Sequence, residues 1–479
     1  GVLKSTKPPA SIPAWPSMVT GRNPGKHGIY DFTYGPGHVT DTKPIYDSGP
    51  WHLYPEKDMT FLNVPGTYGL VERGFNGKVV SGLFTPSSDW ESPTGYAYPE
   101  EFADEVESLF QDYHIDLWGR EESKLVERAD EIVEQRGALF NHVLDEHEPE
   151  FLWGVFVIPD RIMHRFWAYM DEEHPLYNQI DDDDYRRDVL REHFSQLDEK
   201  VGEVLERLDE EDTVFVVSDH GFQPTYWDFD VRSFLEDKGY LESEKEATKS
   251  LLSRLGINTR TVGNLYQKLG GEKLLDILSK DARLKLKEVY QSLPTYGENA
   301  HVDEEKSKVT LMNKGLCIRV NTESQGGPVP DEEKQEVVDA IADDLEDFMD
   351  ENGLNGYVDK NFLHGGEEER GPDVCYFFDK DSVEQAEKSE YLEKYDETRA
   401  GEGAVSAWHH PDGIYIARGP GIKNVEEDAE IYDVLPTVMA LLGEKVDEDY
   451  DGEVMDIFEE GFLPEIKEVE LKTESGSES

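Results

Sequence analysis

The chain predicts an α/β fold: a mainly parallel sheet flanked by helices, with a helical insertion. Three observations carry this reading. First, short apolar runs recur, each bounded by loop residues that include Asp, His or Gly: MTFLNVP (59–65), KVVSGLF (78–84), FLWGVFVIPD (151–160), DTVFVVSDHG (212–221) and GIYIARGPG (413–421). Runs of this kind read as buried strands. Second, helical patterns lie between them, in the acidic stretch near 100–148 and in DYRRDVLREHFSQLDEKVGEVLERLD (184–209). Alternating strands and helices argue for a layered sheet that is largely parallel. Third, the pattern changes from about 236 to 305 to Lys/Glu/Leu-rich helices such as EKLLDILSKDARLKLKEVYQSL, with no strand among them.

The remaining elements follow in order. KGLCIRVNT (314–322) returns to strand, EKQEVVDAIADDLEDFMD (333–350) is an amphipathic helix, and IYDVLPTVMALLG (431–443) is a last packed helix. The expected organisation is therefore a core over 1–235 and 306–465, interrupted by a helical cap at 236–305. The polar residues 466–479 read as a disordered tail. No internal repeat is visible.

Composition limits the function. The 479 residues include 23 Tyr, 21 Phe and 8 Trp, ample for a core, but the formal charge is −58. Nucleic-acid binding needs a basic footprint, so the charge argues against it, and also against docking on anionic membranes. The acid is spread along the chain, which suits a halophilic protein: at molar salt the Debye length falls to about 3 Å and self-repulsion is screened. An acidic protein from ordinary salt is the alternative. Cys317 and Cys375 are too few for a disulfide framework, which fits a reducing interior and a cytoplasmic location. No apolar run approaches the roughly 20 residues of a membrane helix. The chain begins GVLKSTKPPA, without Met or a visible signal peptide, and reads as truncated at its N-terminus.

Several stretches carry candidate chemistry. In VFVIPDRIMHRFW, Asp160 and His164 stand four apart; on a helix beginning near Asp160 they share one face and can reach one metal. In VFVVSDHGF, Asp219 and His220 end a buried strand, where unpaired burial is costly and a metal would satisfy both. In AWHHPDGIYIARGPG, His409 and His410 precede a strand; neighbouring side chains diverge, so one of them is the ligand. Taken singly, each reads equally well as a helix cap or a structural histidine. Together they form a mixed N/O set suited to Zn²⁺, with Mn²⁺ or Fe²⁺ as alternatives. Two such ions would clamp an in-line displacement, and Ser11 is an available nucleophile that a cation would activate. The stretch SIPAWPSMVTGRNPGKHGIYDF (11–32) is not a phosphate P-loop: Gly21 to Gly25 is one residue short, and His27 replaces Ser/Thr. It lacks the G-x-S-x-G of a hydrolase elbow as well.

The ordered set resembles the alkaline phosphatase superfamily, in particular its type I phosphodiesterase/nucleotide pyrophosphatase branch. The set is a hydroxyl two before Pro, then T-G-x-x-P-x-x-H-G, D-x-x-x-H, D-H-G and H-x-x-x-G. The likeness runs from Ser11 to about Phe462 and includes NVPGTYG (63–69) and RGPDVCYFF (370–378). It implies an alkaline phosphatase-like fold and a phosphate-ester small molecule as substrate. Ser11 would be the nucleophile, with Asp160, His164 and His409 on one zinc and Asp219, His220 and Ser11 on the other. A phosphoserine would form and then be hydrolysed. Two departures stand out. The family's upstream Asp ligand has no counterpart before Ser11, and Asp31–Phe32 replaces an expected phosphate-binding Asn. Trp15 stands where a sulfatase has Arg, and the Arg/Lys clusters of a phosphomutase cannot be placed. A non-catalytic relative used for binding is the remaining alternative.

Overall fold

A computed structural model describes residues 1–31, 49–68, 70, 77–83, 85, 95–117, 122–242, 302–303, 305–379, 391–394 and 405–464. Contacts divide the chain into two units: Gly1–Thr225 with Leu363–Gly371 and Glu402–Ser479, and Tyr226–Phe362 with Pro372–Gly401. Most of the insertion expected at 236–305, and the tail at 466–479, lie outside the described residues.

The strands of the first unit are β1 (Val2–Lys4), β2 (Met59–Val64), β3 (Gly77–Ser81), β4 (Ala97–Tyr98), β5 (Phe151–Gly154), β6 (Val214–Val217), β7 (Gly221–Pro224), β14 (Ala407–His410), β15 (Asp412–Arg418) and β16 (Ala429–Glu430). They form sheets ordered β4-β3-β2-β5 and β16-β1-β15-β6, and a two-stranded ladder β14-β7. Every residue of β2 is buried, as suits a central strand covered on both faces. β2 runs parallel to β3 and β5, and β1 to β16. The other pairs are antiparallel, so the α/β architecture is mixed. β6 and β7 follow one another across three residues and β14 and β15 across one; β6 pairs with β15 and β7 with β14, so these two stretches of chain run antiparallel past each other.

The helices are α1 (Ser11–Thr20), α2 (Pro24–His27), α3 (Glu100–Leu109), α4 (Glu122–Glu146), α5 (Ile158–Met170), α6 (Val189–Leu205) and, late in the chain, α9 (Val434–Leu441). Apolar residues of α1 (Trp15, Met18, Val19) and α9 (Leu435, Met439) join Phe61 and Val79 of the sheet in one core cluster. A second cluster packs α4 (Ala129, Ile132, Val133) on α5 (Ile162, Phe166). Each such large side chain contributes about 1.5–3 kcal/mol on burial.

His193 on α6 is a local conflict within this packing. It is 2% exposed, and both ring nitrogens lack a hydrogen-bond partner. Burial pushes its imidazole down to about 4. A folded value below the unfolded one means that the unfolded chain binds more protons. Stability is therefore complete above about 6.5 and lost as pH falls towards 4. His193→Leu is expected to stabilise the fold by about 1–3 kcal/mol at neutral pH, with a gain that widens in acid. Thermal melts from pH 8 to pH 4 test this, and a gain that does not change with pH would refute the account.

The second unit holds β8 (Trp227–Phe229), β9 (Val309–Met312), β10 (Cys317–Val320), β11 (Asn355–Lys360), β12 (Val374–Asp379) and β13 (Leu392–Lys394), with helices α7 (Val231–Asp237) and α8 (Lys334–Asn352). Its antiparallel sheet runs β11-β12-β10-β9. Val338, Ile341 and Leu345 of α8 recur at helical spacing and cluster with Ile318, Val320 and Val374.

Here the structure corrects the reading of the cysteines. Cys317 on β10 lies directly opposite Cys375 on β12, and the two form a disulfide across 58 residues of sequence. Antiparallel pairing brings their Cα atoms to 4.2 Å, a proximity that residue counting cannot detect. The cysteines therefore give no support to a reducing compartment. No described helix is long and apolar enough to cross a membrane.

Candidate active site

Ser11 is the first residue of α1, behind an extended Ala10. The N–H groups of a first helical turn have no intrahelical partner, and the positive end of the helix dipole points out from them. Pro13 fits this turn because the N–H it lacks would be unbonded anyway.

The segment after α1 braces this end. Asn23 caps α2 by accepting the Gly25 N–H at 2.8 Å. His27 accepts the Ile29 N–H at Nδ1 (3.1 Å) and so donates from Nε2 to Ser17 Oγ (3.0 Å). Burial pushes its imidazole down to about 3, so it is neutral. Gly21 and Gly28 close the two helices at φ +63° and +69°, a left-handed conformation in which a Cβ is strained. Lys26 is tied to Asp451 at 2.7 Å, which also accepts the Asn23 N–H at 2.6 Å.

The other candidate residues come from elements remote in sequence. Asp160 and His164 lie one turn apart on α5, with Oδ1 and Nε2 3.4 Å from each other. β6 and β15 pair through Val217–Tyr415, and β7 and β14 pair from Gly221–His410 onward. Asp219 and His220 occupy the break between these two ladders. His409 was expected in a loop before a strand, but it lies within β14, opposite Phe222. Strand alternation buries His409 and turns His410 away, where it accepts the Asp412 N–H at 3.0 Å.

Three imidazoles then converge. Each Nδ1 meets a backbone carbonyl: Ala407 for His164 (2.8 Å), Gly221 for His220 (3.1 Å) and Pro9 for His409 (2.9 Å). A carbonyl only accepts, so each Nδ1 carries the proton and a neutral ring presents Nε2 as a lone pair. The Nε2 atoms of His164 and His409 stand 3.1 Å apart, and that of His409 is 3.2 Å from Asp160 Oδ1. His220 Nε2 accepts from Ser11 Oγ at 3.1 Å and lies 3.3 Å from Asp219 Oδ2, which is buried with no hydrogen-bond partner. The rings of His220 and His409 stack at 3.7 Å.

Lone pairs facing lone pairs and carboxylates repel unless a cation lies among them. Nδ1–H donated to a fixed acceptor is also the usual support for an imidazole that ligates through Nε2. The donor set thus fits a divalent ion: the ligand atoms of Asp160, His164 and His409 stand 3.1, 3.2 and 3.4 Å apart, and Asp160, His220 and His409 form a further group with ligand atoms within 4.8 Å of one another. That group takes members from both of the ligand sets expected from the sequence.

The charges are graded. Burial acts to raise Asp160, but the positive charge of His164 when it carries a second proton, together with the Arg161 guanidinium, outweighs it and holds the carboxyl well below its ordinary range. Burial pushes Asp219 up, with Asp160 adding to the effect. Burial, then His220, pushes His409 down to about 3.

Sequence reading missed two supports. Ser5 Oγ donates to the Asp219 carbonyl at 2.5 Å. Arg161 donates to Asp160 Oδ2 and grips the buried Asp116 with two bonds, at 3.1 and 2.8 Å. Arg161 follows Asp160 directly, which is a weak signal, but Asp116 is 45 residues away and gives none. Arg161→Gln is expected to weaken metal affinity by about 10–100-fold, as loss of an outer support does. Competition with a chromophoric chelator measures this, and unchanged affinity would limit the Arg161–Asp116 pair to a packing role.

A serine at a helix N-terminus beside a buried cluster of imidazoles and carboxylates defines a metal-dependent class of ester-cleaving sites. The chain belongs to the type I phosphodiesterase/nucleotide pyrophosphatase family, whose model matches residues 2–390. Among solved structures it is similar to wild-type alkaline phosphatase PafA, at 11% identity over 70% of this chain and 54% of that one, with a TM-score of 0.34. It is also similar to a multiply substituted variant of that protein, at 15% identity over 70% and 52%, with a TM-score of 0.28. The chain thus spans about half the length of those structures. No curated protein sequence is a significant match.

Proposed function

We propose that the chain hydrolyses phosphoric esters with two divalent cations, zinc by the chemistry of the donors, through a phosphoserine on Ser11. The observation that carries this reading is the convergence of three carbonyl-pinned imidazoles on two largely buried carboxylates and the serine that begins α1. Asp160, His164 and His409 hold one ion; Asp219, His220 and Ser11 hold the other. The bound ions would offset charge on the transferred phosphoryl group and favour the ionised serine. Ser11 Oγ, aimed by its hydrogen bond to His220, attacks phosphorus as the bond to the leaving alcohol breaks. The alcohol leaves with a proton, and water then opens the phosphoserine, restoring the hydroxyl and releasing phosphate from a monoester or a phosphomonoester from a diester. The outward N–H groups of α1 favour the anionic ester throughout. The charge of −58 would repel such a substrate at low salt, which supports a protein that works in brine.

Chelated protein titrated with Zn²⁺ tests the reading. Turnover of a chromogenic phosphodiester or monoester is expected to return only after more than one equivalent has bound and to rise from low to molar salt. Full activity at one equivalent or at none would remove the two-cation mechanism.

A further inference from the structure

We propose a further transition-metal site, built from Glu105, His142 and His147, that clamps α3 to the C-terminal end of α4. It shares no residue with the active-site cluster and does not depend on the proposed reaction. Glu105 lies on α3 and His142 in the last turns of α4. His147 follows α4 and continues its path, its N–H bonded to the Val143 carbonyl at 3.0 Å. Both imidazoles direct Nε2 at the same carboxylate oxygen, Glu105 Oε2, at 3.1 and 2.7 Å. The ligand atoms of all three residues lie within 4.8 Å of one another.

The geometry favours an ion over a plain ion pair. One imidazolium would neutralise Glu105, yet two rings converge on a single oxygen. Four-coordinate zinc, with bonds of about 2.0–2.2 Å, sets its donors about 3.3 Å apart, close to the 3.1 and 2.7 Å that separate the two imidazole nitrogens from Glu105 Oε2. Two imidazoles and one carboxylate suit Zn²⁺ rather than Mg²⁺ or Ca²⁺, which prefer oxygen donors. The side chains of Glu105, His142 and His147 are 40%, 22% and 16% exposed, so water can complete the coordination. The negative end of the α4 dipole adds attraction for a cation. The rings are held in place as well: His147 packs its edge on Phe102 at 5.6 Å and meets His142 at 5.8 Å.

The test is equilibrium dialysis of the full chain against Zn²⁺, wild type beside the His142→Gln/His147→Gln double variant. The variant is expected to retain one equivalent fewer and to lose part of the zinc-induced rise in Tm, with unchanged phosphoesterase activity in the zinc-loaded state. Because the readout is a difference between two chains, it holds whether the active-site cluster takes two ions, one or none. If circular dichroism shows the double variant unfolded, Glu105→Gln replaces it, since it keeps the shape and removes the charge. Equal zinc content and an equal Tm rise in a folded variant would overturn the proposal.

Discussion

Ser11→Ala is expected to lower phosphoester turnover by about 10,000-fold or more, the scale on which enzymes lose rate when a covalent nucleophile is removed. The substitution deletes one oxygen. The three imidazoles stay pinned by the carbonyls of Ala407, Gly221 and Pro9, and the two carboxylates stay buried around them. The ion assigned to Asp160, His164 and His409 should therefore stay, while the second loses one of its three ligands and activity collapses. Because Ser11 starts α1 without making a side-chain cap, Ala is tolerated there and the fold should persist. Two measurements are needed: the rate on a chromogenic ester, and the mass of acid-quenched protein, which gains one phosphoryl group only when Ser11 is present. Undiminished turnover, or phosphorylation of the Ala variant, would remove Ser11 from the mechanism.

Asp160→Asn is expected to act through the metals. Asp160 Oδ1 lies 3.2 Å from His409 Nε2, 3.4 Å from His164 Nε2 and 3.9 Å from His220 Nε2, so among the described residues it is the one anion that faces all three rings. Asn keeps the volume and loses the charge, and it leaves the Arg161–Asp116 ion pair in place. At least one equivalent of metal should be lost, with activity down by about 1,000-fold, which corresponds to about 4 kcal/mol of transition-state stabilisation. Elemental analysis after dialysis, together with the rate, decides the matter. A variant with full metal content and near-normal rate would place the cations elsewhere.

The parts of this protein legible in its sequence are those encoded locally. Asp160 and His164 could be paired because a helix repeats every 3.6 residues, and Asp219–His220 because adjacency at the end of an apolar run is a short-range pattern. The strands at 59–64 and 214–217 were marked by short apolar runs, and the helix at 334–352 by its amphipathic spacing. β1 escaped notice because three residues show no period, and its pairing with β15 spans more than 400 positions. Cys317 and Cys375 misled for the same reason, since nothing local marks two strands as neighbours.

The sequence alone determined the inventory: an acidic α/β chain with a serine opening a Pro-rich helix, two aspartates and three histidines in an order that resembles one family. Tertiary structure decided how these residues work together. It placed His409 within a strand and tied Asp160 to Asp116 through Arg161. It also set Asp160, His220 and His409 in one group across the two expected ligand sets. Above all, it chose the atom that each imidazole presents. That choice is made by the backbone carbonyls of Pro9, Ala407 and Gly221. A carbonyl is the same atom in every residue, so no amino-acid code can announce it, and only the folded path of the chain brings it to a ring.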